Sequence, residues 1–347
     1  MPGQSQQDGM AHVVGGGLRV RGVVYDIGVV PFPGRESRPV FDAAAVERDM
    51  RVLAADLHCT AVRIIGRDLE RLEVAARCAQ RHGLAVWLSP LRHDTTGAEL
   101  LSALGEAAQL AERLRAGGEV VLVVGWELTM FMRGMVAGAG VAQRARTFST
   151  RWRLVLSTLR RGSFNARLNA FLRRACATAR EHFSGPITYA AGMWEQVDWS
   201  PFDFVAVDAY RDASTRDGFP RTVAAWARHG KPVIASEFGC ATYRGARDRG
   251  ALAWTVVDRS VTPPRLDGLY ERSEAEQAQE ISEVLDVLVE GGVEGAFVFT
   301  FASWTYPRWP EPSVDLDMAA YGIVACRPDG TWEAKEAFTT VAERYQD

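Results

Sequence analysis

Short apolar runs alternate along the chain with longer stretches in which apolar residues recur at every third or fourth position. The short runs predict eight strands, at residues 21–27, 61–65, 85–89, 120–126, 187–191, 204–210, 233–237 and 296–304. Runs that are apolar throughout are typical of strands covered on both faces, as in a parallel α/β sheet. The periodic stretches predict helices at residues 43–57, 69–82, 98–116, 165–183, 221–229 and 274–290.

Residues at the ends of several predicted helices support this division. Gly83, Gly118 and Gly230 follow predicted helices, where a C-terminal cap favours glycine. Ser273 opens the sequence Ser-Glu-Ala-Glu, an N-terminal capping signature, before the last of these helices. Eight strand–helix units predict an α/β fold of the (β/α)8 (TIM) barrel type in a single domain. The alternative is a doubly wound open sheet, but the turn at residues 28–34 lacks the Gly-x-Gly-x-x-Gly fingerprint.

The start of the chain and two long connections complete the predicted organisation. Residues 1–17 are polar and glycine-rich and are predicted to form a flexible segment before a catalytic barrel at residues 18–347. Long connections follow the fourth strand (128–162) and the seventh strand (240–272), and such loops usually shape the ligand cleft. The arginine-rich stretch at 144–161 is predicted to form the solvated face of a helix. The alternative is that it binds an anionic partner.

Two of the predicted strands end at a glutamate. The fourth runs Val-Val-Leu-Val-Val-Gly-Trp into Glu127, and the seventh runs Val-Ile-Ala-Ser into Glu237. The carboxyl ends of barrel strands hold the catalytic groups of α/β barrels, and strands four and seven face each other across the mouth. Retaining cleavage of a glycosidic bond requires two carboxyl groups about 5–5.5 Å apart. An ion pair would explain one such glutamate equally well, so the evidence lies in the pair.

These segments resemble the clan A retaining glycoside hydrolases, a superfamily of (β/α)8 enzymes that includes cellulases, β-mannanases and β-galactosidases. The similarity extends from about residue 20 to residue 345. Gly-Trp-Glu-Leu at 125–128 is similar to the fourth-strand motif and implies that Glu127 is the general acid/base. Ser-Glu-Phe-Gly at 236–239 resembles the seventh-strand motif and implies that Glu237 is the nucleophile. Cys-Thr-Ala-Val-Arg-Ile at 59–64 resembles the second strand and implies that Arg63 supports the nucleophile.

Further segments extend the resemblance and contain one departure from it. Val-Asp-Ala-Tyr at 207–210 resembles the sixth strand and implies that the Tyr210 hydroxyl contacts the nucleophile. Phe-Ala-Ser-Trp at 301–304 is similar to the eighth-strand end and implies that Trp304 floors a sugar subsite. The departure is Trp126, which stands where most clan members have an asparagine that contacts the sugar 2-hydroxyl. Because indole donates one hydrogen bond and accepts none, recognition at the sugar 2-position is expected to differ.

Other polar and aromatic side chains stand near predicted strand ends and are candidates for contact with a sugar. Tyr25 and Asp26 end the first strand, His93 and Asp94 follow the third, and Trp194 follows the fifth. For each of them, a structural role without substrate contact is the alternative. We expect these side chains to lie around the mouth that holds the two glutamates.

Composition and charge restrict the classes of partner. The chain has 347 residues, 47% of them hydrophobic, and a formal net charge of −3, so no long-range attraction for nucleic acid or acidic membranes is expected. The first residues lack the pattern of a secretory signal, no run is long enough to span a bilayer, and a cytoplasmic location is the expectation. Ten tryptophans and eight tyrosines supply flat faces that suit a small glycoside or oligosaccharide.

Residue types that bind metals or act as other nucleophiles form no motif. The five cysteines are scattered without a Cys-x-x-Cys pair, and the six histidines are dispersed, which argues against a zinc site or a disulfide framework. Neither a Gly-x-Ser-x-Gly elbow nor a phosphate-binding loop occurs. We therefore expect neither a metal nor an organic cofactor.

The combined pattern predicts a retaining β-glycoside hydrolase that works by double displacement with Glu127 and Glu237. One alternative is a transglycosylase, or a biosynthetic enzyme that uses the same carboxylates on a non-polymeric metabolite. Another is a catalytically inactive carbohydrate-binding barrel, which the departure at Trp126 keeps open. The sugar, the linkage, exo or endo action and the oligomeric state are not predicted, because the loops rather than the strands decide them.

Overall fold

Eight parallel strands close into a barrel in the computed structural model, which describes residues 17–30 and 34–346. All but the last residue of the segment predicted to be flexible (1–17) lie outside the described residues. The strands, of which β1–β7 and β10 form the barrel, are β1 (Val20–Asp26), β2 (Ala61–Gly66), β3 (Ala85–Pro90), β4 (Val120–Trp126), β5 (Ile187–Gly192), β6 (Val205–Asp208), β7 (Val233–Phe238), β8 (Val257–Asp258), β9 (Arg265–Leu266), β10 (Gly295–Val298), β11 (Val324–Cys326) and β12 (Trp332–Ala334).

The helices lie between consecutive barrel strands or follow the last one. They are α1 (Ala43–Ala55), α2 (Leu69–Arg81), α3 (Gly97–Leu114), α4 (Leu128–Phe131), α5 (Val141–Ser149), α6 (Arg151–Arg161), α7 (Phe164–Arg180), α8 (Phe219–Trp226), α9 (Glu274–Glu290) and α10 (Glu336–Gln346). Neighbouring barrel strands follow one another in chain order, and β10 closes the barrel against β1. The predicted (β/α)8 barrel is therefore confirmed.

Burial on both faces of the sheet explains why the strand runs do not alternate between apolar and polar residues. Inside the barrel, Val24, Ile65, Trp87 and Phe297 pack in one apolar cluster. The residues between them point outward to a larger cluster shared with the helices, in which Val23 has no solvent-exposed surface. The two clusters together make the barrel a packed core rather than a pore.

Side-chain caps fix the starts of several helices. The Asp42 and Asp68 side chains accept hydrogen bonds from backbone N–H groups of the first turn of α1 and α2. Thr96 and Glu99 form a reciprocal capping box at the start of α3. Ser273 caps α9 by accepting from the Glu276 N–H, as its sequence predicts. These caps stop each helix from extending back into the loop at the barrel mouth.

The bounds of two predicted strands need correction, and one predicted connection contains helices. The sixth strand spans Val205–Asp208 rather than 204–210, and the eighth ends at Val298 rather than at residue 304. Beyond that point the Phe301 N–H donates to Val24 O, while the Thr300 N–H donates to Tyr321 O, so this segment crosses to the C-terminal part of the chain. The connection after β4 contains three helices, α4 to α6, because its apolar residues have helical spacing.

A buried charge network joins the connections that follow β7 and β10. Asp317 is 1% exposed and accepts from Lys335 at 2.8 Å, from Arg272 at 2.7 Å and from Arg308 at 3.1 Å. These cations hold the Asp317 pKa below its ordinary value, although burial acts in the opposite direction. The network therefore fixes the loops on one side of the barrel mouth.

The cysteines lie in the packed interior, and the helices surround the barrel. All five cysteines are buried free thiols, and Cys240 lies in an apolar cluster, in agreement with a packing role. Within the described ranges, none of the helices combines the length and apolarity needed to cross a bilayer.

Candidate active site

Glu127 stands at the junction between β4 and α4. The pairing of β4 with β5 shifts register between Val123 and Trp126, so the strand bends just before the glutamate. Glu127 has φ 40° and ψ 46°, in the left-handed region that non-glycine residues rarely adopt. Its backbone N–H donates to Ala190 O on β5 at 3.0 Å, which holds this conformation. Strained backbone of this kind is often found at functional positions.

Glu237 lies near the end of β7 and is 5% exposed. The Tyr210 hydroxyl donates to its Oε1 at 3.0 Å, and Arg63 Nη1 lies 3.5 Å from its Oε2. The same Arg63 nitrogen donates to the carbonyl oxygen of Ser236 at 2.8 Å, and Arg63 is 1% exposed. The structure therefore brings Arg63 and Tyr210 to the carboxyl group to which the resemblance assigns them.

Asp208, at the end of β6, is a third carboxyl group that the sequence analysis missed. Its Oδ1 accepts from the Ser236 hydroxyl and its Oδ2 accepts from Trp126 Nε1, both at 2.8 Å. Arg63 Nη1 lies 3.8 Å from Oδ1, and a register shift between β6 and β7 pairs Asp208 with Glu237. The signal was available, because β6 is also an apolar run that stops at a carboxylate.

The carboxyl groups differ in what stabilises their charge. Burial raises the pKa of Glu127 well above its ordinary value, and nearby carboxylates, Asp208 first, raise it further. Burial and Asp208 also raise the pKa of Glu237, but Arg63 and a tyrosine hydroxyl oppose this rise. Burial raises the pKa of Asp208 to about 6. The Arg63 guanidinium and the Tyr210 hydroxyl contact Glu237 and lower its pKa. Arg63 also lowers the pKa of Glu127, but there it is the weakest of the influences and three carboxylates oppose it. This balance favours a proton on Glu127 over one on Glu237.

Trp126 is held by contacts on three sides. Its ring stacks on Phe131 with ring centroids 4.4 Å apart, and His93 meets it edge-on at 5.7 Å. Since Asp208 engages the indole N–H, only ring surface of Trp126 remains for a substrate. Burial lowers the pKa of His93 to about 4, so its imidazole is neutral near pH 7 and packs as an aromatic ring. His93 therefore supports Trp126.

A polar cluster next to Glu127 contains Glu195 and Trp194. Glu195 Oε1 accepts from the Thr129 hydroxyl at 2.6 Å, and its Oε2 accepts from the Tyr189 hydroxyl at 2.8 Å. Trp194 Nε1 donates to the Thr129 hydroxyl at 2.9 Å, while the residue stays 39% exposed. Burial raises the pKa of Glu195 to about 7. Trp194 thus keeps ring surface accessible, and its place in a sugar subsite stays a prediction.

Two candidates from the sequence belong to the scaffold instead. Tyr25 is fully buried, and its hydroxyl donates to Asp49 of α1 at 2.6 Å. It points outward from β1 towards the helices, so the prediction that it contacts a sugar is wrong. Asp94 forms an ion pair with Arg144 of α5, which also donates to Met130 O at 2.5 Å. Asp94 therefore fastens the helical connection that follows Glu127.

Asp26 and Trp304 meet at the rim of the barrel. Trp304 Nε1 donates to the carbonyl oxygen of Asp26 at 3.3 Å. The Arg38 guanidinium lies 4.2 Å from the centre of the Trp304 ring and covers one of its faces. Only the opposite face is left for the predicted sugar floor. The Asp26 carboxyl accepts from the Gly28 N–H at 2.7 Å, and burial raises its pKa to about 6.

The arrangement brings together carboxyl groups whose surroundings differ. Among residues 17–30 and 34–346, no group of three or more histidine, cysteine, aspartate or glutamate side chains is arranged to hold a metal ion. The acidic groups instead accept hydrogen bonds from Arg63, Tyr210 and Trp126. A proton-carrying carboxyl group beside one stabilised by a cation is the pairing that acid-assisted displacement requires.

Solved structures share this fold at low sequence identity. A GH113 β-1,4-mannanase has a TM-score of 0.61 and 14% identity, with 95% of this chain and 99% of that chain covered. The GH113 β-mannanase of Alicyclobacillus acidocaldarius has a TM-score of 0.59 and 17% identity, with 95% and 97% covered. A β-glucuronidase of Bacteroides uniformis has a TM-score of 0.57 and 15% identity, but this chain covers 34% of it. No family model and no curated protein matches the sequence.

Proposed function

We propose that the chain is a retaining β-glycoside hydrolase. The observation that carries the proposal is the unequal environment of two glutamates at the mouth of one barrel. Glu237 contacts Arg63 and the Tyr210 hydroxyl, whereas the Glu127 pKa is raised by burial and by neighbouring negative charge. The similar folds of GH113 β-mannanases support the same class, because those proteins act on glycosidic bonds at the mouth of such a barrel.

In the first step, Glu237 attacks the anomeric carbon while Glu127 gives its proton to the leaving oxygen. Arg63 and Tyr210 hold the attacking carboxylate in one orientation and stabilise its charge before attack. As the bond to carbon forms, the negative charge on Glu237 disappears. This loss of charge lowers the pKa of Glu127, whose carboxylate then serves as the base in the second step.

In the second step, Glu127 removes a proton from water, which attacks the glycosyl-enzyme and releases Glu237. The two inversions at the anomeric carbon give overall retention of configuration. A sugar hydroxyl in place of water would give transglycosylation through the same intermediate. Which acceptor reacts depends on what the connections after β4 and β7 admit to the mouth.

For the sugar, β-mannosides and β-glucosides are the first candidates. The Alicyclobacillus β-mannanase was solved with the ligand ManMIm, which makes manno-configured substrates the natural starting point. Trp126 has its one donor engaged by Asp208, so it leaves the sugar 2-hydroxyl without the usual amide partner. We therefore propose that the chain distinguishes C2 epimers less sharply than an enzyme with asparagine at this position.

The test is intact-mass measurement after incubation with 2-deoxy-2-fluoro glycosides of manno and gluco configuration. These probes form a glycosyl-enzyme that hydrolyses slowly, so the wild type is expected to gain the mass of one sugar residue. Glu237→Ala is expected to gain none, because it lacks the attacking carboxylate. Peptide mapping of the adduct should place the sugar on Glu237.

Glu127→Gln is the matched variant. With a good leaving group it should still form the adduct, because departure then needs no proton. It should turn over glycosides with poor leaving groups about a hundredfold to ten-thousandfold more slowly than the wild type. Labelling that persists in Glu237→Ala would refute the assigned nucleophile. Absence of both labelling and turnover across the panel would favour a binding protein.

A further inference from the structure

The connection after β4 and the helix that follows it carry an unusual charge distribution. Between Glu127 and Glu181 the sequence has no aspartate or glutamate but contains eleven arginines. The chain as a whole has a formal net charge of −3, so the positive charge is concentrated in this segment. A surface feels the local charges within about 10 Å rather than the net charge of the molecule.

Within this segment, α6 exposes an apolar stripe to solvent. Trp152, Val155, Leu156 and Leu159 are 60%, 57%, 40% and 77% exposed. Their spacing of three and four residues places them on one face of the helix. Ser157, on the opposite face, is buried, and its hydroxyl accepts from the Ala137 N–H at 3.0 Å. The helix is therefore anchored on its inner side and presents its apolar side outward.

Basic side chains border the stripe. Arg153 and Arg160 are exposed and follow the stripe along one edge of the helix. The Arg153 guanidinium lies 5.2 Å from the centre of the Trp152 ring. An exposed tryptophan with arginines beside an aliphatic stripe is typical of helices that lie in the interface of a membrane.

We propose that α6 lies on the surface of an anionic lipid membrane, with its apolar stripe inserted among the acyl chains and its arginines at the headgroups. Nucleic acid would pair with the arginines but would leave Trp152, Val155 and Leu159 in water. A binding groove on another protein usually encloses a helix on more than one side, whereas the inner side of α6 is occupied by its own chain. A flat surface requires only the face that is exposed.

The net charge of the chain predicts no long-range attraction to acidic membranes. The local positive charge around α6 leads to the opposite expectation. The α5–α6 region is tied to the strand ends by Arg144, which contacts Asp94 and Met130, and by Phe148, whose ring lies 5.9 Å from that of Trp194. Membrane contact would therefore hold the connection that follows Glu127 against the lipid surface.

Vesicle sedimentation of the full chain tests the contact without any need for enzymatic activity. The chain is expected to sediment with phosphatidylcholine vesicles that contain about a third phosphatidylglycerol, and to stay in solution with phosphatidylcholine alone. Binding should weaken as salt is raised, because the arginines interact through screened charge. Failure to bind the anionic vesicles at low salt, or equal binding to both kinds, would overturn the proposal.

Variants separate the two contributions to binding. Leu159→Glu is expected to lower the vesicle partition coefficient by about tenfold or more, because it places a charge where an apolar side chain inserts. Arg153→Glu combined with Arg160→Glu should lower it by at least as much. Leu269→Glu is the control, since Leu269 is 99% exposed but lies in the connection after β7. Binding that survives Leu159→Glu would mean simple charge attraction and would refute insertion of the stripe.

A second copy of the chain is the competing occupant of the stripe. Light scattering of the wild type and of Leu159→Glu, without lipid, decides this. The proposal expects the same molar mass for both. A dimer that Leu159→Glu converts to a monomer would assign the stripe to self-association and would overturn the membrane contact. Matching melting temperatures would establish that these exposed substitutions leave the fold intact.

Discussion

The indole N–H of Trp126, at the end of β4, donates to the carboxylate of Asp208 at 2.8 Å, past the intervening β5 to the end of β6. Both residues lie next to a candidate catalytic group. Trp126 precedes Glu127 in the sequence, and Asp208 pairs with Glu237 between β6 and β7. The bond keeps Asp208 ionised more readily than burial alone would allow. Through Asp208, Trp126 therefore influences the pKa values of both glutamates.

Asp208→Asn should move the basic limb of the pH profile of kcat/KM to lower pH. Glu127 must carry its proton to assist bond cleavage, so activity falls as pH rises through the Glu127 pKa. Asp208 is the largest of the neighbouring charges that raise this pKa, and asparagine removes that charge while still accepting from Trp126. The profile is measured on a glycoside that the wild type turns over.

Glu195→Gln is compared with Asp208→Asn for its effect on the basic limb of the pH profile. Glu195 also raises the Glu127 pKa, but less than Asp208 does. A smaller displacement of the basic limb in the same direction is expected. An unchanged basic limb in Asp208→Asn would show that Glu127 is not the group that titrates there.

Arg63→Met should move the acidic limb of the same profile to higher pH and lower kcat/KM. Arg63 lowers the pKa of Glu237, so without the guanidinium the nucleophile becomes protonated at a higher pH. Activity, which needs ionised Glu237, is then lost earlier as pH falls. Arg63→Lys keeps a positive charge and should leave the acidic limb nearer its wild-type position. If Arg63→Met and Arg63→Lys move the acidic limb by the same amount, the positive charge of Arg63 does not determine the pH at which activity is lost.

Tyr25→Phe and Tyr210→Phe each remove a single hydroxyl, but the first should affect stability and the second should affect catalysis. Tyr25 donates to Asp49 within the core, so its loss should lower the free energy of unfolding by about 1–2 kcal/mol and leave kcat/KM unchanged. Tyr210 donates to Glu237, so its loss should lower kcat/KM by about tenfold to a hundredfold with little change in stability. Urea unfolding and steady-state kinetics measure both quantities. A kinetic defect in Tyr25→Phe would restore this residue to the binding site.

Asp317→Asn should lower the free energy of unfolding by about 3–5 kcal/mol near neutral pH, because it leaves the buried Lys335 ammonium without its carboxylate. The Asp317 pKa is depressed in the folded chain, so its stabilisation is present above the unfolded pKa and is lost as pH falls through the folded pKa. The wild type should therefore lose stability more steeply than the variant in acid.

Denaturant unfolding at a series of pH values provides that comparison. Glu271→Gln is the control, because its ion pair with Arg244 is exposed on both sides and should contribute little. Equal unfolding free energies for Asp317→Asn and wild type at neutral pH would contradict a structural role for the network.

Much of this molecule follows from local sequence. Strands apolar on both faces and helices with regular spacing require a layered α/β arrangement, so the barrel and the positions of Glu127 and Glu237 at strand ends could be predicted. The pattern of apolar residues could not show where β10 ends. The segment after Val298 is still apolar, and only its pairing with Val24 and Tyr321 decides where the barrel strand stops.

Contacts between distant residues were decided by the tertiary structure. Tyr25 and Asp26 are neighbours in sequence, yet the pleat of β1 turns Tyr25 to the helices and leaves Asp26 at the rim. The partnership of Trp126 with Asp208 joins residues that are 82 positions apart and depends on register shifts at the strand ends. A sequence specifies which groups are available, but closure of the barrel decides which of them meet, because side-chain hydrogen bonds act only within a few ångströms.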